Sequence, residues 1–144
     1  MWLYEGKEFS PDESELSPED IYGFVYLITN EVTGRKYVGK KFLWRNKTLP
    51  VTKTRKRKKK VKVLSDWKTY YGSSEELRAD VEKYGRENFT RTILHLCKTK
   101  GECAYFEAKE QFLRDVLYDP SYYNSWISLK VHSKHLKLDD YLTE

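Results

Sequence analysis

Apolar and polar positions alternate along two short segments of this chain, on either side of a polar turn. Both segments lie within residues 24–41, FVYLITNEVTGRKYVGKK, and are rich in β-branched and aromatic side chains. The alternation predicts two β-strands, and the residues from Asn30 to Gly34 predict the turn that joins them into a hairpin. Because side chains alternate between faces along a strand, we expect Tyr26 and Tyr37 on the same face, roughly 5 to 8 Å apart.

Helical spacing replaces this alternation further along the chain. Ser73 followed by Glu76 predicts a capping box, in which the serine oxygen accepts from an amide of the first helical turn and the glutamate bonds back to the cap amide. Gly85 predicts the end of this helix, because glycine readily adopts a positive φ. Residues 88–97, NFTRTILHLC, then have the composition of a mostly buried strand.

A second capping box, Thr99 and Glu102, predicts another helix that runs to about Tyr118. Its apolar stripe is formed by Tyr105, Ala108, Phe112 and Val116. The order of elements is therefore hairpin, basic loop, helix, strand, helix. This order predicts an α+β fold with a small three-stranded antiparallel sheet, made of the hairpin and the later strand and flanked by helices.

Length and composition indicate one compact domain, since 144 residues with 39% apolar and 15% aromatic content can build a core. We divide the chain into an acidic arm at 1–20, a domain at 21–126 with a basic insertion at 53–62, and a tail at 127–144. The two cysteines do not make a disulfide framework, and no secretory signal begins the chain. The apolar runs are shorter than the roughly 20 residues that cross a bilayer. We therefore expect an intracellular protein that does not span a membrane.

Positive charge is concentrated in one segment. Residues 53–62, KTRKRKKKVK, contain eight Lys or Arg and no acid, so the rest of the chain has a net charge of −3 although the whole chain has +5. The acidic arm contains seven acids against Lys7 alone and could shield the basic run. A cationic block flanked by Trp44 and Trp67 suits a polyanion, because neutralised phosphates release counterions and aromatic rings stack on bases. The alternative is a solvated loop that binds nothing specific.

The two strand segments resemble the paired signature of the GIY-YIG nuclease family. Phe24-Val25-Tyr26 is similar to the first triplet and Tyr37-Val38-Gly39 to the second, although the first begins with phenylalanine where the family usually has glycine. The resemblance covers about residues 22–126. Glu107 in FEAKEQFL and Asn124 in YYNSW correspond by resemblance to the family's catalytic glutamate and its later asparagine.

The resemblance leaves the family's arginine open. Soon after the second triplet the chain reads KKFLWRNK, in which Arg45 is our candidate and Lys40 or Lys41 is the alternative. An arginine and a lysine are not equivalent at a phosphate, so the choice affects the mechanism. The stretch WKTYYGSSEEL looks like the phage-type, homing-endonuclease-like branch of the family, which implies a cytoplasmic protein of a bacterial or phage-infected cell.

Family resemblance implies a DNA endonuclease that uses Mg²⁺, with Mn²⁺ as an alternative. Phosphodiester hydrolysis needs a positioned water, neutralised phosphate charge and help for the leaving oxygen. Glu107 would hold a single, largely hydrated ion. Tyr37 is our first choice as general base and Tyr26 as the group that orients the water, with a nearby cation favouring the phenolate. The two roles could be exchanged, and a covalent phosphotyrosine is a third possibility.

The expected DNA-binding surface is the basic segment together with two neighbouring side chains. Its members are Lys53, Arg55, Lys56, Arg57, Lys58, Lys59, Lys60, Lys62, Lys68 and Tyr71. A homodimer is a further expectation, because two copies could cut the two strands of a duplex. The main alternative is a noncatalytic nucleic-acid-binding protein on the same scaffold, and an oligomeric interaction protein ranks behind it.

Overall fold

The computed structural model of this chain describes residues 1–129 and 134, so most of the predicted tail lies outside the described residues. The strands are β1 (Trp2–Tyr4), β2 (Lys7–Glu8), β3 (Gly23–Asn30), β4 (Lys36–Phe42), β5 (Trp44–Leu49), β6 (Lys59–Leu64) and β7 (Phe89–Cys97). The helices are α1 (Glu75–Tyr84) and α2 (Lys100–Leu113), with short 3-10 turns at Trp67–Thr69 and Arg86–Asn88. Within this described part, no helix has the length and apolar character needed to cross a bilayer.

The main sheet has five strands in the order β2-β1-β7-β3-β4. The predicted small three-stranded antiparallel sheet is therefore wrong, although its three strands are present as β3, β4 and β7. The additional strands come from the acidic arm, and β1 runs parallel to β7. The Trp2 side chain fixes β1 in place, because it is 2% exposed and its indole N–H donates to the Trp67 carbonyl oxygen at 2.8 Å.

A separate two-stranded sheet is formed by β5 and β6. The basic segment was expected to be a loop, and this expectation is wrong for its second half, which belongs to β6. Val61 and Val63 alternate with Lys60 and Lys62 and are less exposed than these lysines. This alternation is typical of a strand, although the density of charge obscures it in the sequence.

The two helices cover opposite faces of the main sheet. Side chains of β3 alternate, so that Tyr26 and Ile28 pack in one cluster with Leu77 of α1, while Val25 packs in a second cluster with Phe106 of α2. Strand β4 lies at the edge of the sheet. Groups from both faces can therefore reach the solvent beside β4.

The first helix begins one residue later than the sequence predicts. Ser74, not Ser73, is its N-cap and accepts a hydrogen bond from the Leu77 amide at 3.3 Å. The Glu76 carboxylate forms an ion pair with Arg35. The predicted capping box of Ser73 and Glu76 is therefore wrong. Gly85 does end the helix, with φ at 91°.

The second helix begins as predicted and ends early. Thr99 accepts from the Glu102 amide at 3.0 Å, whereas the helix stops at Leu113 instead of continuing to about Tyr118. The chain then turns through Asp115, whose φ is 50°. Phe112 is 61% exposed and does not belong to the buried stripe.

Candidate functional site

A groove of about 960 Å³ runs beside the edge strand β4. Its walls come from β4, β5, the start of α1, one side of α2 and the segment that follows α2. Tyr37 lies on the same face of the sheet as α1, whereas Glu107 is carried by α2 on the opposite face. The groove brings these two side chains together because β4 is the edge strand of the main sheet, and its outer side bonds the segment that follows α2 at Lys36 and Val38.

The two motif tyrosines lie on one face, as predicted, and their arrangement is diagonal. Tyr26 pairs with Gly39 and Tyr37 pairs with Ile28, and the two rings are 6.2 Å apart. Tyr26 is 1% exposed, and a Cβ at position 39 would overlap its hydroxyl, so Gly39 is needed to accommodate the ring. Burial raises the pKa of Tyr26 well above the usual range of a phenol. Tyr37 is the one that lines the groove.

The hydroxyl of Tyr37 contacts the start of α1. It forms a 2.8 Å hydrogen bond with the Ser73 hydroxyl, in which either oxygen can be the donor. Burial raises the pKa of Tyr37, while the bond to Ser73 and the positive charge of Arg78 act in the opposite direction. Arg78 is held close by a 2.9 Å hydrogen bond from its Nε to the Gly72 carbonyl oxygen. Neither Ser73 as a tyrosine partner nor Arg78 was predicted as a site residue.

Glu107 lies on the α2 side of the groove. Its Oε1 accepts from the Lys40 ammonium at 3.0 Å, and the two side chains are 13% and 33% exposed. Burial is the larger influence and raises the pKa of Glu107, although Lys40 acts to lower it. One helical turn later, Gln111 also lines the groove, and its Oε1 has no hydrogen-bond partner within the described residues.

The predicted asparagine fixes the segment after α2 against β4. Asn124 accepts from the Val38 amide at 3.0 Å and donates to the Val38 carbonyl oxygen at 2.8 Å. The Gln111 amide donates to the same carbonyl at 3.1 Å. In this structure the Asn124 side chain therefore acts as a positioning group that lines the groove through its contact with the edge strand.

All three candidates for the family's arginine line the groove, in different environments. Lys40 is paired with Glu107. Lys41 donates to Asp66 at 2.7 Å, and its ammonium lies 4.1 Å from the centre of the Tyr70 ring. Arg45 is exposed on β5. Arg78 is a fourth cation in this region, and it is the one whose charge acts on Tyr37.

Most of the predicted DNA-binding side chains lie on the β5–β6 hairpin, which comprises residues 44–64. Exposed cations there are Lys53, Lys56, Arg57, Lys58, Lys59, Lys60 and Lys62. Arg55 is less exposed, because its guanidinium donates to the carbonyl oxygens of Pro50 and Arg57. The structure therefore separates six outward cations from Arg55, which stabilises the loop, and from Lys62, whose ammonium donates to the Tyr22 hydroxyl.

The other two predicted DNA-binding residues lie away from the hairpin. Lys68 forms an ion pair with Glu13 of the acidic arm. The Tyr71 ring lies 4.2 Å from the buried Arg91 guanidinium and lines a second, smaller cavity of about 570 Å³. The arm was expected to shield the basic run, and the contact found is between the arm and Lys68.

The groove offers one carboxylate on α2 rather than a cluster of metal ligands. Among residues 1–129 and 134, no three His, Cys, Asp or Glu side chains come together. A single carboxylate suits a hydrated Mg²⁺, which keeps most of its waters. The residues present therefore fit the expected ion.

Comparison with known proteins gives one family and one curated relative. The family model described as "Putative endonuclease segE, GIY-YIG domain" matches residues 2–127. The chain is 33% identical over 104 residues to "Putative endonuclease segE" of Enterobacteria phage T4. This match covers 72% of the chain and 40% of the relative, so the chain spans less than half the length of that protein. No solved structure matches the chain.

Proposed function

This chain belongs to the GIY-YIG nuclease family, and on that premise we propose that it is an endonuclease that hydrolyses phosphodiester bonds of DNA with the help of Mg²⁺ or Mn²⁺. One observation carries the proposal. The Tyr37 hydroxyl, the Glu107 carboxylate and several cations line a single groove that is open to solvent along β4. These are the groups that phosphodiester hydrolysis needs around one scissile bond.

Tyr37 is the residue to which we assign proton abstraction from the attacking water. It lines the groove, whereas Tyr26 is buried and keeps its proton. Burial also raises the pKa of Tyr37, so its phenolate needs stabilisation. Ser73 and Arg78 supply part of it, and we propose that Tyr26 supports the Tyr37 ring from below. This arrangement favours Tyr37 over Tyr26 as the general base and gives Tyr26 a supporting role in place of orienting the water.

Glu107 is the residue to which we assign the metal ion. A bound Mg²⁺ would supply Lewis-acid stabilisation of the leaving oxygen. Glu107 would provide one carboxylate oxygen, and water molecules and phosphate oxygens would fill the other positions. Lys40 bonds Glu107 in this structure and is exposed enough to bind a phosphate oxygen instead.

Cations on both sides of Tyr37 would neutralise the scissile phosphate. Arg45 and Lys41 line the groove toward β5, whereas Arg78, at the start of α1, lines the second cavity on the other side of Tyr37. Arg78 is our choice for the role of the family's arginine, because it belongs to a helix and its charge acts on Tyr37. Arg45 is then a second phosphate contact at the base of the hairpin. A guanidinium can bind two phosphate oxygens at once, which a lysine cannot do.

Plasmid cleavage tests this proposal. Wild type should cut supercoiled plasmid in the presence of Mg²⁺, and Tyr37→Phe and Glu107→Gln should each lose at least ~10²-fold in rate. Glu110→Gln is the matched control, because Glu110 lies on the same helix but pairs with His95 and Arg114. It should cut like wild type. Equal cutting by all four proteins would remove the assignment, and DNA binding without cleavage would favour the noncatalytic alternative.

A further inference from the structure

The β5–β6 hairpin is attached to the rest of the protein at its base. At the base, the Trp44 indole donates to the Ile21 carbonyl oxygen at 2.9 Å and the Lys62 ammonium donates to the Tyr22 hydroxyl at 2.8 Å. Within residues 1–129 and 134, its two strands pair with each other and with no strand of the main sheet. The far end of the hairpin therefore projects as a two-stranded ribbon.

Both faces of this ribbon carry positive charge. Lys47 pairs with Val61 and Lys59 pairs with Leu49, and these two lysines share a face with Arg45. Lys60 pairs with Thr48 and points to the opposite face. The lysines are all exposed. The tip adds four further exposed cations, which are Lys53, Lys56, Arg57 and Lys58.

Charge on two opposite faces distinguishes between ways of binding a polyanion. A ribbon that lies flat on a nucleic acid needs cations on one face, because its other face is directed to solvent. A ribbon inserted between two phosphate backbones needs them on both. The major groove of B-form DNA is about 12 Å wide and admits a two-stranded ribbon. The major groove of A-form RNA is too narrow for side chains to reach the bases.

We infer that the β5–β6 hairpin inserts into the major groove of duplex DNA beside the site of cleavage. This inference rests on the proposed function and adds to it the element that holds the duplex and the groove that this element enters. Arg45, at the base of the hairpin, lines the candidate active groove. Six residues of β5 span about 20 Å, so the contacts should fall within about six base pairs of the cut.

Methylation protection tests the inference. Dimethyl sulfate modifies N7 of guanine, which faces the major groove, and N3 of adenine, which faces the minor groove. The protein carrying Glu107→Gln, bound to a short duplex, should protect guanine N7 and leave adenine N3 reactive. Binding that protects only adenine N3, or neither atom, would overturn the inference and leave the proposed function standing. Failure to bind any DNA would remove both.

Two adjacent lysines give a matched pair of variants. Lys59→Gln and Lys60→Gln remove one charge each, from neighbouring positions on opposite faces. Both should weaken duplex binding by a similar factor and reduce the slope of log affinity against log salt by about 1. Lys83→Gln, at the end of α1, is the control and should bind like the protein that carries Glu107→Gln alone. An effect confined to one of the two hairpin variants would mean that the ribbon lies flat.

Double-stranded RNA of the same sequence provides the final comparison. The protein that carries Glu107→Gln alone should bind this RNA more weakly than DNA. Lys59→Gln and Lys60→Gln should not both reduce its affinity for RNA. Equal affinity for RNA and DNA, with equal losses in both variants, would show that the ribbon contacts phosphates without entering a groove. That result would also overturn the inference.

Discussion

Two tyrosines on one sheet face differ here because of a single neighbour. Gly39 leaves room for the ring of Tyr26 to lie over β4, where it is fully covered. Tyr37 lies two residues before Gly39 on β4, at the boundary between the sheet and the groove. A tyrosine is therefore a core residue at position 26 and a candidate reactive group at position 37. The glycine of the second triplet thus has a packing role that its position in the motif does not reveal.

Glu107 should make the folded protein less stable as the pH rises. Burial raises its pKa, so the folded state holds this proton more tightly than the unfolded chain does. Below about pH 4 both states are protonated, and the proton's contribution to stability is lost as the pH rises through the raised pKa. Glu107→Gln cannot ionise. Its stability relative to wild type should therefore increase between about pH 4 and pH 7, as measured by urea unfolding of the metal-free proteins.

Glu110→Gln should show the opposite trend. His95 and then Arg114 lower the pKa of Glu110, so the ionised carboxylate stabilises the fold and this stabilisation is lost as the pH falls. Wild type should therefore gain stability over Glu110→Gln as the pH rises. A Glu107→Gln difference that is constant with pH, or that follows the same trend as Glu110→Gln, would contradict the expected burial of the Glu107 charge.

Sequence reasoning could identify Tyr26, Tyr37, Glu107 and Asn124, because a motif or an ordered resemblance marks each of them. Ser73, Arg78 and Gln111 could not be identified in the same way. Ser73 comes from the face covered by α1 and Gln111 from the face covered by α2, and they line one groove only because β4 is an edge strand, while Arg78 lines the second cavity. A spacing of four residues from Glu107 does place Gln111 on the same side of its helix. That signal alone is too common to select a residue.

The start of α1 divides two tasks between adjacent serines. Ser74 caps the helix, and Ser73 contacts the Tyr37 hydroxyl. Ser74→Ala should therefore lower the free energy of unfolding by about 1 kcal/mol, as loss of a cap usually does. Ser73→Ala should change it by less than about 0.5 kcal/mol, as an exposed substitution does, but should reduce the rate of plasmid cleavage and shift its pH profile.

Urea unfolding and cleavage rates of the two variants would check this division. Rescue of the Ser73 variant by threonine, which keeps the hydroxyl, would support a positioning role for that group. A Ser73→Ala protein that is as destabilised as Ser74→Ala and cuts at the wild-type rate would show that Ser73 serves the helix instead.

Elements with strong local patterns were predictable, and elements that depend on distant partners were not. The alternation in β3 and β4 and the capping box of α2 are local signals. Strand β1 has only three residues and pairs with β7, which lies almost ninety positions later, so only packing of Trp2 reveals it. Strand β6 carries a local signal in Val61 and Val63, but the lysines around them are equally typical of a solvated loop. Charge and strand pattern point to different structures there, and pairing with β5 decides between them.

Charge is separated on the scale of the whole molecule. The basic segment at 53–62 carries +8, the first 20 residues carry −6, and the whole chain carries +5. The ion pair between Glu13 and Lys68 brings the acidic arm next to a cation that was expected to bind DNA. A polyanion should therefore be attracted to the hairpin and repelled by the arm, and both effects should weaken with salt.

Neutralising five hairpin cations should weaken DNA binding for all sequences alike. The variant replaces Lys56, Arg57, Lys58, Lys59 and Lys60 by glutamine, which removes the charge without adding an acid. Each phosphate contact that is lost should lower the slope of log affinity against log salt by about 0.9, because fewer counterions are released on binding. The slope can be measured by fluorescence anisotropy with two unrelated duplexes at several salt concentrations.

Glu13→Gln is the companion variant, because it removes one negative charge and the ion pair to Lys68. It should bind both duplexes more tightly at low salt and lose this advantage at high salt, since screening weakens exposed charge interactions. Its expected effect on DNA affinity is opposite to that of the hairpin variant. The comparison therefore shows whether the electrostatic field of the whole molecule, and not the hairpin alone, governs binding. If the variant with five substitutions kept the affinity and salt slope of wild type, the basic segment would be a solvated ribbon. DNA would then have to bind to another surface.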